Sequence, residues 1–499
     1  MIRIRMKQEF GTLNNTTDAV LSSSKREFLI GAVVFFVSCA VYLQYGLNGW
    51  LARDPAIYMY GGQQMAQGVP PYVSIFDVRG PLTPILPGIG VIIGRFLHMD
   101  DLIAVRIFFL VISALTCVSI YLLTKQLIQS ERSGLLAAAI FLGFVPFSRR
   151  AAAGPDGKTP MILFETLNLY FTSRKKWFWG GVFGAMAGLV WQPMAVFAFV
   201  TLAIAAFQPR EDRWKAILKS SLGIAFPLVL VSLYFFWFGA FRDFFEGAVT
   251  FQFKYMKLER EPILQHLLDP FNVIFLKYRS SIPAILIGIV IILYFYWWRR
   301  KESGSIFSML SQDQFAPFLL SLPFPFLWSF RDFQAYPDFY VFLPYVAVAF
   351  GFFLENAIRK IPSPVFTLVI CIVFALSAGY QLRLIREETG IQSQRKAAKE
   401  LDEKYGNKKL MSIGVPEVLV LLKRTNPSKY AFLLRGMDRK IGAETPGGFM
   451  GWFQQLEDSG VDVIVIGPME VDRKRIVMDW LDAHYKREEI WPWKLYVKR

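Results

Sequence analysis

The sequence predicts a polytopic α-helical membrane protein that ends in a small α/β domain. Three observations predict it. Only 19% of the 499 residues are charged, 54% are hydrophobic and 16% are aromatic, whereas a soluble chain carries roughly a quarter charged residues. Apolar runs near or above about 18 residues, the length that crosses a hydrocarbon core, recur between residues 28 and 382. From about Lys396 the texture turns charged, with short runs typical of strands and amphipathic helices.

Residues 1–27 are polar and basic and precede a full-length apolar segment. This pattern predicts a cytoplasmic tail before a signal-anchor helix and not a cleaved signal peptide. Apolar segments follow near 28–48, 82–97, 102–124, 134–148, 159–173, 177–207, 218–238, 282–298, 314–328, 338–355 and 363–382. Counting each as one crossing puts the basic stretches "TKQLIQSER" and "SRKKW" outside, against the positive-inside rule. Two adjustments repair this. Segment 82–97 carries Pro84, Pro87 and several glycines, so it is expected to lie in the interface or re-enter. Segment 177–207 is too long for one span and breaks at Gln192-Pro193, which suits two short helices. About eleven spans result, with the N-terminus inside and the segment after 383 outside. The expected divisions are a tail (1–27), a transmembrane domain (28–382) whose first outer loop covers 49–101 and holds juxtamembrane helices, and an extracytoplasmic α/β domain (383–499).

The net charge of +16 suggests nucleic acid, but Lys and Arg gather at helix ends and no basic stripe sits among stacking aromatics, so no nucleic-acid partner is expected. Cys39, Cys117 and Cys371 each lie inside an apolar run, and His98, His266 and His484 are scattered. Neither set has metal-site spacing.

The outer segments collect the costly polar residues. The first loop gives Asp54 and Tyr58 in "ARDPAIYMY", then Tyr72, Asp77 and Arg79 in "GVPPYVSIFDVRGPL". "RRAAAGPDGKTPM" gives Arg149, Arg150, Asp156 and Lys158, and "GLVWQPM" gives Trp191 and Gln192. "SFRDFQAYPDFY" gives Arg331, Asp332, Gln334, Tyr336 and Asp338. Each also has a plain structural reading. Asp54 before Pro55 fits an N-cap; Asp77 and Arg79 fit a pair across a turn; Asp156 in "GPDG" fits a type I turn. Arg149 and Arg150 fit headgroup anchors, Tyr336 an aromatic belt, and Gln192 a cap on carbonyls freed at a helix break. Their convergence on one face is the stronger signal, because cations there suit a lipid phosphate and aromatics suit a sugar.

Asp54 followed by "AIYMYGGQQMAQGVPPYVSIFDVRGPL" resembles the first outer loop of GT-C glycosyltransferases. The branch in question includes dolichyl-phosphate-mannose protein mannosyltransferases and lipid A aminoarabinose transferases. "KTPMILF", "GLVWQPMAVF" and "DFQAYPDFYVFLPY" resemble blocks of an archaeal-type subgroup, and the similarity covers residues 28–382. It implies an inverting transfer of a sugar, mannose by the resemblance, from a dolichyl- or polyprenyl-phosphate donor to a glycan, glycolipid or protein hydroxyl. Asp54 matches the acid of the family's first loop, proposed as base or acceptor-orienting residue, with Asp77 second. Arg79, Lys158 and Arg331, then Arg150, are the expected phosphate ligands. Tyr58, Tyr72, Asp156, Trp191, Gln192, Asp332, Gln334, Tyr336 and Asp338 are the expected lining. Pro55 departs from the family, whose acid is commonly followed by a second acid. No Asp-x-Asp pair occurs in the loop, which points to a monophosphate donor and to no metal or other cofactor. The alternative functions are a transporter or flippase of lipid-linked sugars and a non-catalytic scaffold. Mid-membrane charges and inverted repeats would mark a transporter, and the sequence has neither an evident repeat nor charged helix centres.

In the tail, "KKLMSIGV", "SKYAFLL", "VDVIVIG" and "WKLYVKR" read as strands, and "GGFMGWFQQLEDSG" and "DRKRIVMDWLDAHY" as helices between them. "GVPEVLVLL" lacks a dinucleotide-loop glycine pattern.

Overall fold

A computed structural model describes residues 25–256, 263–303, 313–331, 333, 335–384 and 390–499. The first half runs α1 (Lys25–Leu43), α2 (Arg53–Met65), α3 (Leu82–Phe96), α4 (Asp101–Ile128), α5 (Glu131–Leu142), α6 (Val145–Ala153), α7 (Lys158–Ser173), α8 (Trp177–Val190), α9 (Val196–Ala206) and α10 (Arg210–Trp237). Then come α11 (Phe241–Phe245), a π-helical turn (Glu246–Thr250), α12 (Phe251–Lys254), α13 (Ile263–Lys277) and α14 (Ile282–Ser303). Helices Ala316–Ser321, Pro323–Arg331, Leu343–Arg359 and Ser363–Leu384 complete the bundle.

Among the described residues, five helical stretches are long and apolar enough to cross a bilayer: α1, α4, α10, Tyr336–Arg359 and Ser363–Arg383. The bent pair α5–α6 makes a sixth if it forms one span. Shorter apolar helices, among them α3 and α8, pack between them. The chain is a multi-pass membrane protein.

One predicted segment is built differently and another as expected. The stretch 134–148 is not one helix but α5 and α6, which meet at 73°, and the bend places Arg150 beside the chain reversal that starts α7. The stretch 177–207 breaks where its proline predicts, with Trp191 extended and Gln192–Ala195 as a 3-10 turn between α8 and α9. The bundle centre is also less apolar than its sequence suggested. Glu165 in the middle of α7 is fully buried, and neither of its carboxyl oxygens has a hydrogen-bond partner among the described residues.

Residues 391–499 form a four-stranded mixed sheet in the order β1-β2-β4-β3, flanked by five helices from Ile391–Tyr405 to Lys474–His484. β1 (Leu410–Ile413) pairs in parallel with β2 (Val463–Ile466). β2 pairs antiparallel with β4 (Trp493–Lys498), which forms a hairpin with β3 (Tyr485–Ile490). Every residue of β1 and β2 is buried, as expected of central strands covered on both faces; β2 is wholly apolar, and in β1 Ser412 is the one polar residue. "SKYAFLL" is no strand. Its buried Tyr430, Ala431, Phe432 and Leu433 lie in an irregular segment whose backbone bonds three separate neighbours: Phe76, Gly414 and Glu470. The strand "YKREEI" went unseen because it is an edge strand whose residues are largely charged.

Candidate active site

Loop one, after α2, has no regular structure of its own, so side chains and close contacts fix it. Asp77 is almost fully buried and folds an Asx turn: its Oδ1 accepts from Val78 N–H at 2.7 Å and Arg79 N–H at 3.3 Å. The Val78 carbonyl accepts from the amides of Gln192 and Gln252, each at 3.0 Å, and Gln192 also donates to Ala248 at 3.1 Å. The Arg79 carbonyl accepts from Tyr72 Oη at 2.6 Å. Gly80 backs onto the last carbonyls of α8, and a Cβ there would collide with the Leu189 and Val190 backbone. The proline- and glycine-rich loop is therefore clamped into the break between α8 and α9.

That clamp aims one guanidinium. Arg79 Nη1 donates to Asp77 Oδ1 at 3.1 Å, Nη2 lies 3.4 Å from Asp54 Oδ1, and the group sits 5.0 Å over the Tyr58 ring. Asp54 stands in the first turn of α2, where the N-cap position belongs to Ala52. The capping role suggested by Asp-Pro is not what the carboxylate does; it faces Arg79 and Arg53, whose Nε is 3.4 Å away. The Asp54 side chain is 48% exposed, which leaves it open to an incoming group. Partial burial pushes its pKa up, but Arg79, Arg53 and Arg150 outweigh this and hold it below the ordinary carboxylate value.

Two further cations join the cluster, each with a carboxylate and a ring. Arg150 donates to Tyr336 Oη at 2.8 Å, lies 3.6 Å from Asp156 and covers the Tyr336 ring at 5.5 Å. Lys158 pairs with Asp338 at 3.0 Å and points at the Trp191 ring, 2.8 Å from its centroid. Asp156 makes the expected turn, accepting from Lys158 N–H at 2.8 Å, and also faces Arg150. Burial lowers the Lys158 pKa to about 8 although Asp338 and Asp156 oppose it, and Arg79 is near enough to lower it further. Arg79, Arg150 and Lys158 thus occupy one charged field with Asp54, Asp77, Asp156 and Asp338.

The structure brings together Asp54, Tyr58, Asp77, Arg79, Arg150, Asp156, Lys158, Trp191, Tyr336 and Asp338. Two expected lining residues do other work. Tyr72 is fully buried between Phe235 and Phe244 and supports Arg79 from behind. Gln192 spends its amide on the two carbonyls described above. Asp77, with its nearly buried oxygen taken by three donors, orients Arg79 and is poorly placed as a base. The Arg331 side chain, Asp332 and Gln334 lie outside the described residues. Sequence reasoning passed over Arg53, although it stands beside Asp54, and Glu470, whose Oε1 accepts from Arg53 Nη2 at 2.8 Å. Nothing local marks Glu470, because the pairing is 417 residues apart.

Residues 84–237 match the family described as dolichyl-phosphate-mannose-protein mannosyltransferase. Among curated proteins, none matches the chain in sequence. In structure the chain resembles ArnT from Cupriavidus metallidurans in the apo state, with a TM-score of 0.54 and 11% identity over 96% of this chain and 98% of that one. The same protein bound to undecaprenyl phosphate gives 0.56 and 12% over 95% and 97%. The Archaeoglobus fulgidus oligosaccharyltransferase in the apo form gives 0.50 and 15% over 87% and 69%. At these identities the structural likeness establishes the fold. The chain thus has the fold of these membrane proteins, and its residues 84–237 match the dolichyl-phosphate-mannose-protein mannosyltransferase family.

Proposed function

We propose that the protein moves a sugar, mannose by its family domain, from a dolichyl- or polyprenyl-phosphate donor to an acceptor hydroxyl on a glycan, glycolipid or protein. The transfer inverts the anomeric centre and uses no metal. The observation that carries this reading is the half-exposed Asp54 carboxylate set against Arg79, with Arg150 and Lys158 in the same field. ArnT has been captured with undecaprenyl phosphate, which supports a polyprenyl-phosphate donor for this fold-mate as well. We place the site on the extracytoplasmic face of a bundle of about eleven spans, with a cytoplasmic N-terminus and residues 383–499 outside.

In the proposed step, Asp54 takes the proton of the acceptor hydroxyl as its oxygen attacks the anomeric carbon. The bond from that carbon to the phosphate oxygen breaks, and its electron pair stays on the phosphate. A phosphodiester with one negative charge becomes a phosphomonoester that gains charge. Arg79, Lys158 and Arg150 are preorganised to take it up, and loss of one such contact typically costs about 3–4 kcal/mol in the transition state. Tyr58, Trp191 and Tyr336 offer ring faces to the sugar or the first prenyl units.

The test is transfer from a defined polyprenyl-phosphate sugar by the purified protein in lipid, with EDTA present. Wild type should turn over at an unchanged rate with chelator. Asp54→Asn should lose about 10²–10⁴-fold in kcat, the usual worth of a general base. Wild-type rates in Asp54→Asn, or donor translocation without transfer, would overturn the reading.

A further inference from the structure

One stretch of the C-terminal segment touches both flanks of the site. Lys429 C=O accepts from Phe76 N–H at 2.8 Å, one residue before Asp77. The Phe76 ring is caged by Phe251 at 5.4 Å, Tyr430 at 5.6 Å and Lys440 Nζ at 4.9 Å. Lys440 is fully buried and bonds both Glu246 and Glu444. Leu433 C=O, in the same irregular run, accepts from Glu470 N–H at 2.9 Å, which fixes the loop that presents the Glu470 carboxylate to Arg53.

Arg53 is therefore divided between two acids. Its Nη2 goes to Glu470 at 2.8 Å and its Nε reaches Asp54 only at 3.4 Å. A guanidinium released from Glu470 has a full fork of donors, and a fork closing on a carboxylate occupies both oxygens. Asp54 would then have both oxygens engaged by Arg53, with Oδ1 also facing Arg79 at 3.4 Å, which crowds the carboxylate and weakens it as an acceptor for the hydroxyl proton.

We propose that Glu470 is a positioning residue for transfer, holding Arg53 off Asp54 so that the carboxylate stays open to the acceptor. The C-terminal segment thereby completes the site and is not only packed upon it. This rests on Asp54 being the base.

The experiment measures kcat and donor KM for Glu470→Ala, Glu470→Gln, Arg53→Ala and the Arg53→Ala/Glu470→Ala double variant, with Asp54→Asn alongside. Glu470→Ala should lower kcat about tenfold with donor KM within about twofold, the signature of an interaction lost only in the transition state. Glu470→Gln keeps an oxygen acceptor for Arg53 and should recover part of that loss. Because Glu470 acts through Arg53, adding Glu470→Ala to Arg53→Ala should change kcat by less than about twofold. Unchanged kcat in Glu470→Ala, a change confined to KM, or an undiminished effect in the Arg53→Ala background would each overturn the proposal. An inactive Asp54→Asn beside a normal Glu470→Ala sinks this inference alone. An active Asp54→Asn sinks the assignment of Asp54 itself.

Discussion

Lys158 opens α7, the end of a helix at which the dipole disfavours a cation. Asp338 and the Trp191 ring keep it there, and the same burial brings its pKa down to about 8. The consequence for donor capture has a definite sign. Below pH 8 the ammonium carries its charge and attracts the phosphate; above it, the neutral amine does not. We expect kcat/KM for the donor to fall as pH rises through about 8, because that ratio reports the free enzyme. In Lys158→Arg the fall should move out of the measurable range, since a guanidinium stays charged. A pH–rate profile of both proteins checks this. A limb near pH 8 that persists in Lys158→Arg would place the titrating group elsewhere.

At the scale of elements, the site is assembled by interruptions. The break between α8 and α9 receives loop one, the bend between α5 and α6 delivers Arg150, and the 3-10 turn Tyr336–Phe342 brings Tyr336 and Asp338 to the same end. Gln192, in the break between α8 and α9, ties two other segments to it by donating to the carbonyls of Val78 in loop one and Ala248 in the π-helical turn. Gly80 is the tightest joint, where a Cβ would run into backbone and not into a yielding side chain. Gly80→Ala should lift the loop at about 1–3 kcal/mol, the usual cost of overpacking. It should also lower kcat by about 10²-fold, because a 1 Å displacement of a catalytic group has that effect. Thermal unfolding and transfer assays read the two effects separately. Equal activity in Gly80→Ala would show that Arg79 needs no such anchoring.

At the scale of the whole molecule, the C-terminal segment and the membrane bundle meet around a buried charge. Lys440 has no solvent exposure and holds Glu246 from the π-helical turn and Glu444 from its own helix. Removing the cation leaves two partly buried acids facing each other. Lys440→Met should therefore destabilise the docked state by about 3 kcal/mol, the lower end for breaking a buried pair from one side. Hydrogen exchange at the Phe76 amide should accelerate in that variant, since its acceptor is Lys429 of the same segment. Protection equal to wild type would mean that the segment is held by its apolar contacts alone.

Composition, run length and the positions of Lys and Arg determined that this chain is a multi-pass membrane protein, because the bilayer tolerates few other solutions for such a sequence. Local chemistry also marked the proline break at Gln192, the turn at Asp156 and the clustering of acids, cations and rings in separate polar segments. Tertiary structure alone decided which of those residues share one cluster. Asp77 and Tyr72 read in sequence as site residues beside Asp54, yet close packing buries the first two as supports and leaves Asp54 open. Glu470 and Lys440 carry no local signature, since ion pairs across hundreds of residues depend on where the folded segments dock. The strand lost at "SKYAFLL" and the one gained at "YKREEI" have the same cause. Pairing and burial are settled by neighbours, which periodicity within one short stretch does not specify.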